Sequence, residues 1–193
     1  MEQEQRNELL KDLYDFLDVK MKNVIYDGEQ LSLDSGVCFT ASKVASKILR
    51  KLGFDCEVQR MKLVIGNEGG IKKFNQFLKD GKEPKYVGKE HIIGLGYDGW
   101  DGDAEGGSHY VVYFKNENLI MDLTIGQATR PEKDILMKPY FTTPEDRPEE
   151  IVGYKFEKPN KKYELSTSFY SAREYYEKVI NEGYRELKKR WKR

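Results

Sequence analysis

Two β-prone runs sit close together in the chain. They are His109-Tyr110-Val111-Val112-Tyr113-Phe114 and Leu119-Ile120-Met121-Asp122-Leu123, parted by Lys115-Asn116-Glu117-Asn118. Aromatic and branched residues on either side of a short polar turn predict an antiparallel hairpin. Centring the turn sets Phe114 opposite Leu119, so His109 falls near Leu123 or Thr124. Asp122 is within the slack of a loop or bulge. An imidazole and a carboxylate on neighbouring antiparallel strands can lie side by side, which is what a base held by an acid requires. Asp122 is flanked by Met121 and Leu123, an awkward setting for a solvated carboxylate.

The remaining pattern predicts helices around this sheet. Leu9, Leu10, Leu13, Phe16 and Leu17 mark an amphipathic helix over about Glu4 to Val19. Val37, Ala41, Val44, Ala45, Ile48, Leu49 and Leu52 mark a second over Val37 to Leu52, with Asp34-Ser35-Gly36 as its cap and Gly53 as its stop. Phe54, Cys56 and Val58 alternate as a strand, and Met61, Leu63 and Ile65 continue it after a phase change that predicts a bulge near Arg60. A short helix carries Ile71, Phe74, Phe77 and Leu78, and His91 opens a strand to Tyr97. Asp98 to Gly107 is a loop. Thr129 to Pro159 wraps the surface, with Val152 to Phe156 as an edge strand. The final helix runs from Ser168 to Trp191, with Ser171 and Glu174 as a capping box and Gly183 interrupting the pattern. The expectation is one α+β domain over residues 1–193.

Thirty-three Lys and Arg balance thirty-three Asp and Glu, which excludes a strongly basic nucleic-acid binder at whole-chain level. No apolar run reaches the roughly 20 residues of a membrane span. The N-terminus has no basic start followed by an apolar stretch, so the expectation is a cytoplasmic protein with reduced thiols. Two cysteines and two histidines are too few for a structural zinc site, and no cofactor is expected. The alternating acids of the 98–107 loop offer oxygen ligands, but lack the spacing of an EF-hand. Trp100 in that loop is a candidate substrate contact. His91 is a rival base with no carboxylate on a returning strand.

Cys38 stands in the first turn of the second helix, where free amides and the helix dipole favour a thiolate. It also lies in phase with Ala41 and Ala45, where it reads as a small buried side chain. Its position alone leaves both readings open.

Gly36-Val37-Cys38-Phe39-Thr40-Ala41 with Leu52-Gly53-Phe54, Ser108-His109-Tyr110-Val111-Val112-Tyr113, and Met121-Asp122-Leu123-Thr124 together resemble the Cys, His and Asp blocks of the transglutaminase-like superfamily, which shares this order with papain-like peptidases and arylamine N-acetyltransferases. The resemblance covers about residues 33–125. Tyr110 stands where the family often has Trp, and the Arg-Gly-Gly start of the N-acetyltransferases is absent. The resemblance implies a papain/transglutaminase-like fold, with the Cys helix packed on an antiparallel sheet. It also implies a cysteine-dependent acyl-transfer or hydrolytic enzyme acting on a peptide, protein or small acyl or amide substrate. Cys38 would be the nucleophile, His109 the base and Asp122 its orienting acid. The Cys38 amide and Gln30 would meet the oxyanion, with Tyr26 and Asn23 as rivals to Gln30, and Tyr110 would join Trp100 at the substrate. Two other readings remain. One is a binding module that keeps the fold without catalysis. The other is a nucleic-acid-associated protein using the basic end 184–193.

Overall fold

A computed structural model describes residues 1–34, 37–96, 103–105 and 108–191, the side chains of 103–105 excepted. The elements in chain order are α1 (Gln3–Met21), β1 (Ile25–Tyr26), β2 (Glu29–Gln30), α2 (Cys38–Lys51), β3 (Glu57–Gly66), α3 (Glu68–Asp80), β4 (Ile92–Leu95), β5 (Asp103–Glu105), β6 (His109–Phe114), β7 (Leu119–Asp122), β8 (Tyr140–Thr142), β9 (Ile151–Glu157), α4 (Lys161–Leu165), α5 (Ser168–Ser171) and α6 (Arg173–Trp191). The arrangement is mixed α+β. A mainly antiparallel sheet runs in the order β5-β4-β3-β6-β7-β8, with β9 also paired to β3. The exception is the parallel pair β4 and β5.

The sheet separates two apolar layers. On one face Tyr110, Val112, Phe114, Leu119, Met121 and Leu123 pack with α1, α2 and α6. On the other Met61, Leu63, Ile65, Val111 and Ile120 pack with Ile125, Ile135, Met137 and Ile151. Burying each such side chain contributes about 1.5–3 kcal/mol. This two-sided burial explains the phase change along β3. Cys56 and Val58 face the helices while Met61, Leu63 and Ile65 face the other layer, so the chain stays regular at Arg60, which pairs with Tyr110 and with Glu157. The irregularity in β3 lies instead at Val64/Ile65, against β9.

β3 also positions the site. β6 pairs with it along Glu57 to Met61, and β4 along Leu63 to Gly66. His109 therefore begins β6 where β4 ends. Gly96, at φ +81°, passes so close to the Met61 carbonyl that a Cβ there would sit 2.6 Å from it. β6 and β7 pair with Phe114 opposite Leu119, the register that centring the turn predicts.

Other expectations need revision. α2 begins at Cys38 with Val37 as N-cap and no side-chain cap, and Asp34 packs instead against Gly126. Ser35 and Gly36 lie outside the described residues. The C-terminal helix is broken at Ala172, leaving α5 and α6. Gly183 is a packing device, because a Cβ there would come within 2.6 Å of Ile48 and 2.8 Å of Phe16. It lets α6 lie close on α1 and α2. Arg190 pairs with Glu8 at 2.7 Å and Asp12 at 3.3 Å, so this cation of the basic end is neutralised by α1. No helix among the described residues is long and apolar enough to cross a membrane.

Gly183→Val should overpack this three-helix contact and lower the unfolding free energy by about 1–3 kcal/mol, read from the urea midpoint. An unchanged midpoint would show that the helices are not held together at Gly183.

Candidate active site

The hairpin register carries the site. Continuing the β6–β7 pairing sets Val111 opposite Asp122, so His109 and Asp122 are diagonal neighbours on one face, within reach of long side chains. His109 Nε2 lies 2.7 Å from Asp122 Oδ2. The second carboxylate oxygen accepts from the Thr124 amide at 3.0 Å and from its hydroxyl at 3.4 Å. His109 is 1% exposed and Asp122 is 0% exposed. A carboxylate in that position is tolerable because its oxygens are paired.

The ring's other nitrogen, Nδ1, meets the side-chain amide of Gln127 at 3.0 Å. Gln127 sits in the 3₁₀ turn Ile125–Ala128 that follows β7. Its amide can present either a donor or an acceptor, so it satisfies Nδ1 in both protonation states of the ring. Burial opposes a charge on His109, but the attraction of the Asp122 carboxylate and the hydrogen bond to it outweigh burial. Smaller contributions from Cys38 add to these, and the pKa rises to about 10.

Cys38 reaches the same place from the other side of the sheet. Its helix packs on the face bearing Tyr110 and Val112, and its first residue stands at the start of β6. The thiol donates to the Ser108 carbonyl at 3.5 Å. The sulfur is also 3.8 Å from the hydroxyl of Tyr163 on α4. Cys38 is 2% exposed. The structure thus brings together Cys38, His109 and Asp122 at one end of the β6 strand, with Nδ1 held by Gln127 and the thiol by Ser108.

The other expected residues stand elsewhere. Gln30 lies exposed on β2, and its amide donates to the Lys22 carbonyl at 2.5 Å. That donor is committed away from the sulfur. Tyr26 donates to the Ser166 carbonyl at 2.7 Å, and the backbone N–H of Asn23 to the Lys20 carbonyl. Tyr110 is 1% exposed, not open to a substrate. Its hydroxyl accepts from the Asn160 amide at 3.1 Å and donates to Glu164 at 3.2 Å, and its ring stacks under Tyr163 at 5.8 Å. Trp100 and the acidic loop around it lie outside the described residues, apart from the backbone of β5. His91 precedes β4, and its amide donates to Asn67. Cys56 is a buried thiol whose pKa burial pushes up to about 12. Among the described residues no three His, Cys, Asp or Glu side chains converge as metal ligands.

Gln127 and Tyr163 were not legible as site residues. Gln127 follows Asp122 by one short turn, the signal that could have found it. Tyr163 lies in a polar stretch, with no periodicity to mark it. Comparison with protein-family models, curated proteins and solved structures returns no match.

The raised pKa of His109 has a signed consequence for stability. The stabilisation from its charged form is complete below about pH 6.5 and is lost as pH rises through about 10. Asp122→Asn should remove this dependence and cost about 3–5 kcal/mol near neutral pH, because the ring loses its buried partner. Urea midpoints of both proteins across that pH range test this. A wild-type midpoint that rises toward alkaline pH would contradict it.

Proposed function

We propose that the protein is a cysteine-dependent acyl-transfer or hydrolytic enzyme on a papain/transglutaminase-like fold, with Cys38 as nucleophile. The reading rests on one observation: a buried imidazole, bonded to a carboxylate at 2.7 Å, also takes up electrostatic and hydrogen-bond support from a thiol at a helix start. In this mechanism His109 already holds the proton that the Cys38 thiol gives up, and the sulfur attacks a carbonyl carbon as a thiolate. The tetrahedral adduct collapses to a thioester as His109 protonates the leaving group. Water, deprotonated by His109, or another acceptor then takes the acyl group and the thiol is restored. Asp122 fixes the ring and stabilises its charge throughout. The high proton affinity of His109 keeps that proton on the ring while the sulfur attacks.

The ring already shares a hydrogen bond with the Cys38 thiol. A substrate must still gain access to a sulfur that is 2% exposed. The present arrangement is therefore a closed resting state. The same burial favours a second reading, in which the three side chains form a polar cluster that fixes the hairpin in a non-catalytic binding module.

Alkylation by iodoacetamide separates the two. Near neutral pH Cys38 should label faster in the folded protein than in urea, while buried Cys56 stays unlabelled. His109→Ala should slow Cys38 labelling by about 10²-fold or more. Cys38 labelling that is slower folded than unfolded, and indifferent to His109, would establish the structural cluster.

A further inference from the structure

Acyl transfer through a thiol creates negative charge on the carbonyl oxygen, and that charge needs donors. The helix start supplies one kind. The amides of Cys38, Phe39 and Thr40 have no partner within the helix, and α2 has no side-chain cap. The side-chain donor expected from the sequence, Gln30, is bonded to Lys22. A second donor must come from elsewhere.

Tyr163 is placed for it. Its hydroxyl stands 3.8 Å from the Cys38 sulfur. The oxygen of a thiol–carbonyl adduct lies only two bonds from that sulfur, and a useful donor sits roughly 2.7–3.1 Å from it. The phenol is held rather than loose. Its ring is parallel to Tyr110, with 7° between the planes. Tyr110 is itself pinned by Asn160 and Glu164. The Tyr163 amide caps onto Asn160 at 3.1 Å. Burial, with the nearby sulfur, pushes the phenol far above its ordinary pKa, so it keeps its proton at neutral pH and remains a donor.

The same ring lines an open cleft of about 230 Å³, together with Tyr26, Val37, Phe39, Thr40 and Ser168. None of the described residues lining it is charged. The volume is below the roughly 300–1,000 Å³ of sites for drug-sized ligands. A cleft lined by apolar side chains and hydroxyl groups suits a small uncharged acyl group, and Val37 and Phe39 of its lining flank Cys38 in the chain.

Building on the enzyme reading above, we infer that Tyr163 is a catalytic residue, its hydroxyl donating to the oxyanion of a small neutral acyl group that reaches Cys38 from this cleft. With p-nitrophenyl acetate as probe, the thiolate's electron pair forms the C–S bond while the proton it gave up stays on His109. The carbonyl pair moves onto oxygen beside Tyr163, then returns and expels p-nitrophenolate. Acetyl-Cys38 remains.

The test compares two reactions of the same sulfur, since alkylation by iodoacetamide forms no oxyanion. Tyr163→Phe should slow the p-nitrophenolate burst by about 10²–10³-fold while changing the iodoacetamide rate at Cys38 by less than about threefold. A burst of equal rate in both proteins, or a parallel fall in both reactions, overturns the assignment and leaves the enzyme reading standing. No burst from the wild-type protein, with no rapid alkylation of Cys38, overturns the enzyme reading and this assignment with it. Thermal unfolding of Tyr163→Phe, expected to match wild type within a few degrees, verifies that the variant is folded.

Discussion

The buried pair of His109 and Asp122 is the interaction on which this site depends. Two ionisable groups in a dry layer are tolerated only when each finds its partners. Here the carboxylate takes the ring at 2.7 Å and the backbone and hydroxyl of Thr124 on its other oxygen. The ring's second nitrogen takes Gln127. These bonds require β6 and β7 to stand in one register, because a shift by one residue would send Asp122 to the opposite face. The pair therefore fixes the hairpin, and the hairpin fixes where the start of β6 meets the start of α2.

The sheet has helices on one face and the polar pair on the other, so a side chain on α2 can meet the pair only at the end of a strand. Cys38 does so because it is the first residue of its helix and lies beside Ser108. α4 then covers the sulfur, supported through the Tyr110–Tyr163 stack. α5 is tied to α2 by Thr40, which bonds to the Ser168 hydroxyl at 2.9 Å and accepts from the Phe169 amide at 3.2 Å. The chain segment from 160 to 171 thus forms one wall of both the thiol site and the neighbouring cleft. Tyr26 and Leu31, on and beside the β1–β2 hairpin, also line that cleft.

Much of this was legible in the sequence because it rests on local rules. The polar turn set the β6–β7 register, and the apolar stripe of α2, ended by Gly53, put Cys38 in its first turn. What escaped was set by distant packing. The phase change in β3 looked like a bulge because alternation alone does not reveal a strand buried on opposite faces along its length. Gly183 looked like a defect because its purpose lies in Ile48 and Phe16. Gln30 was favoured by its distance upstream of Cys38, yet a two-residue hairpin turns it outward. Tyr163 had no sequence signal, since it reaches the sulfur only through the tertiary position of α4.

The most direct test of the central claim is an NMR titration of the His109 ring in wild-type protein and in Cys38→Ala. If thiol and imidazole form one unit with Asp122, the wild-type ring titrates near 10 and the variant titrates lower. Identical titrations in the two proteins, or a wild-type ring that loses its proton near the ordinary 6.5, would contradict the account.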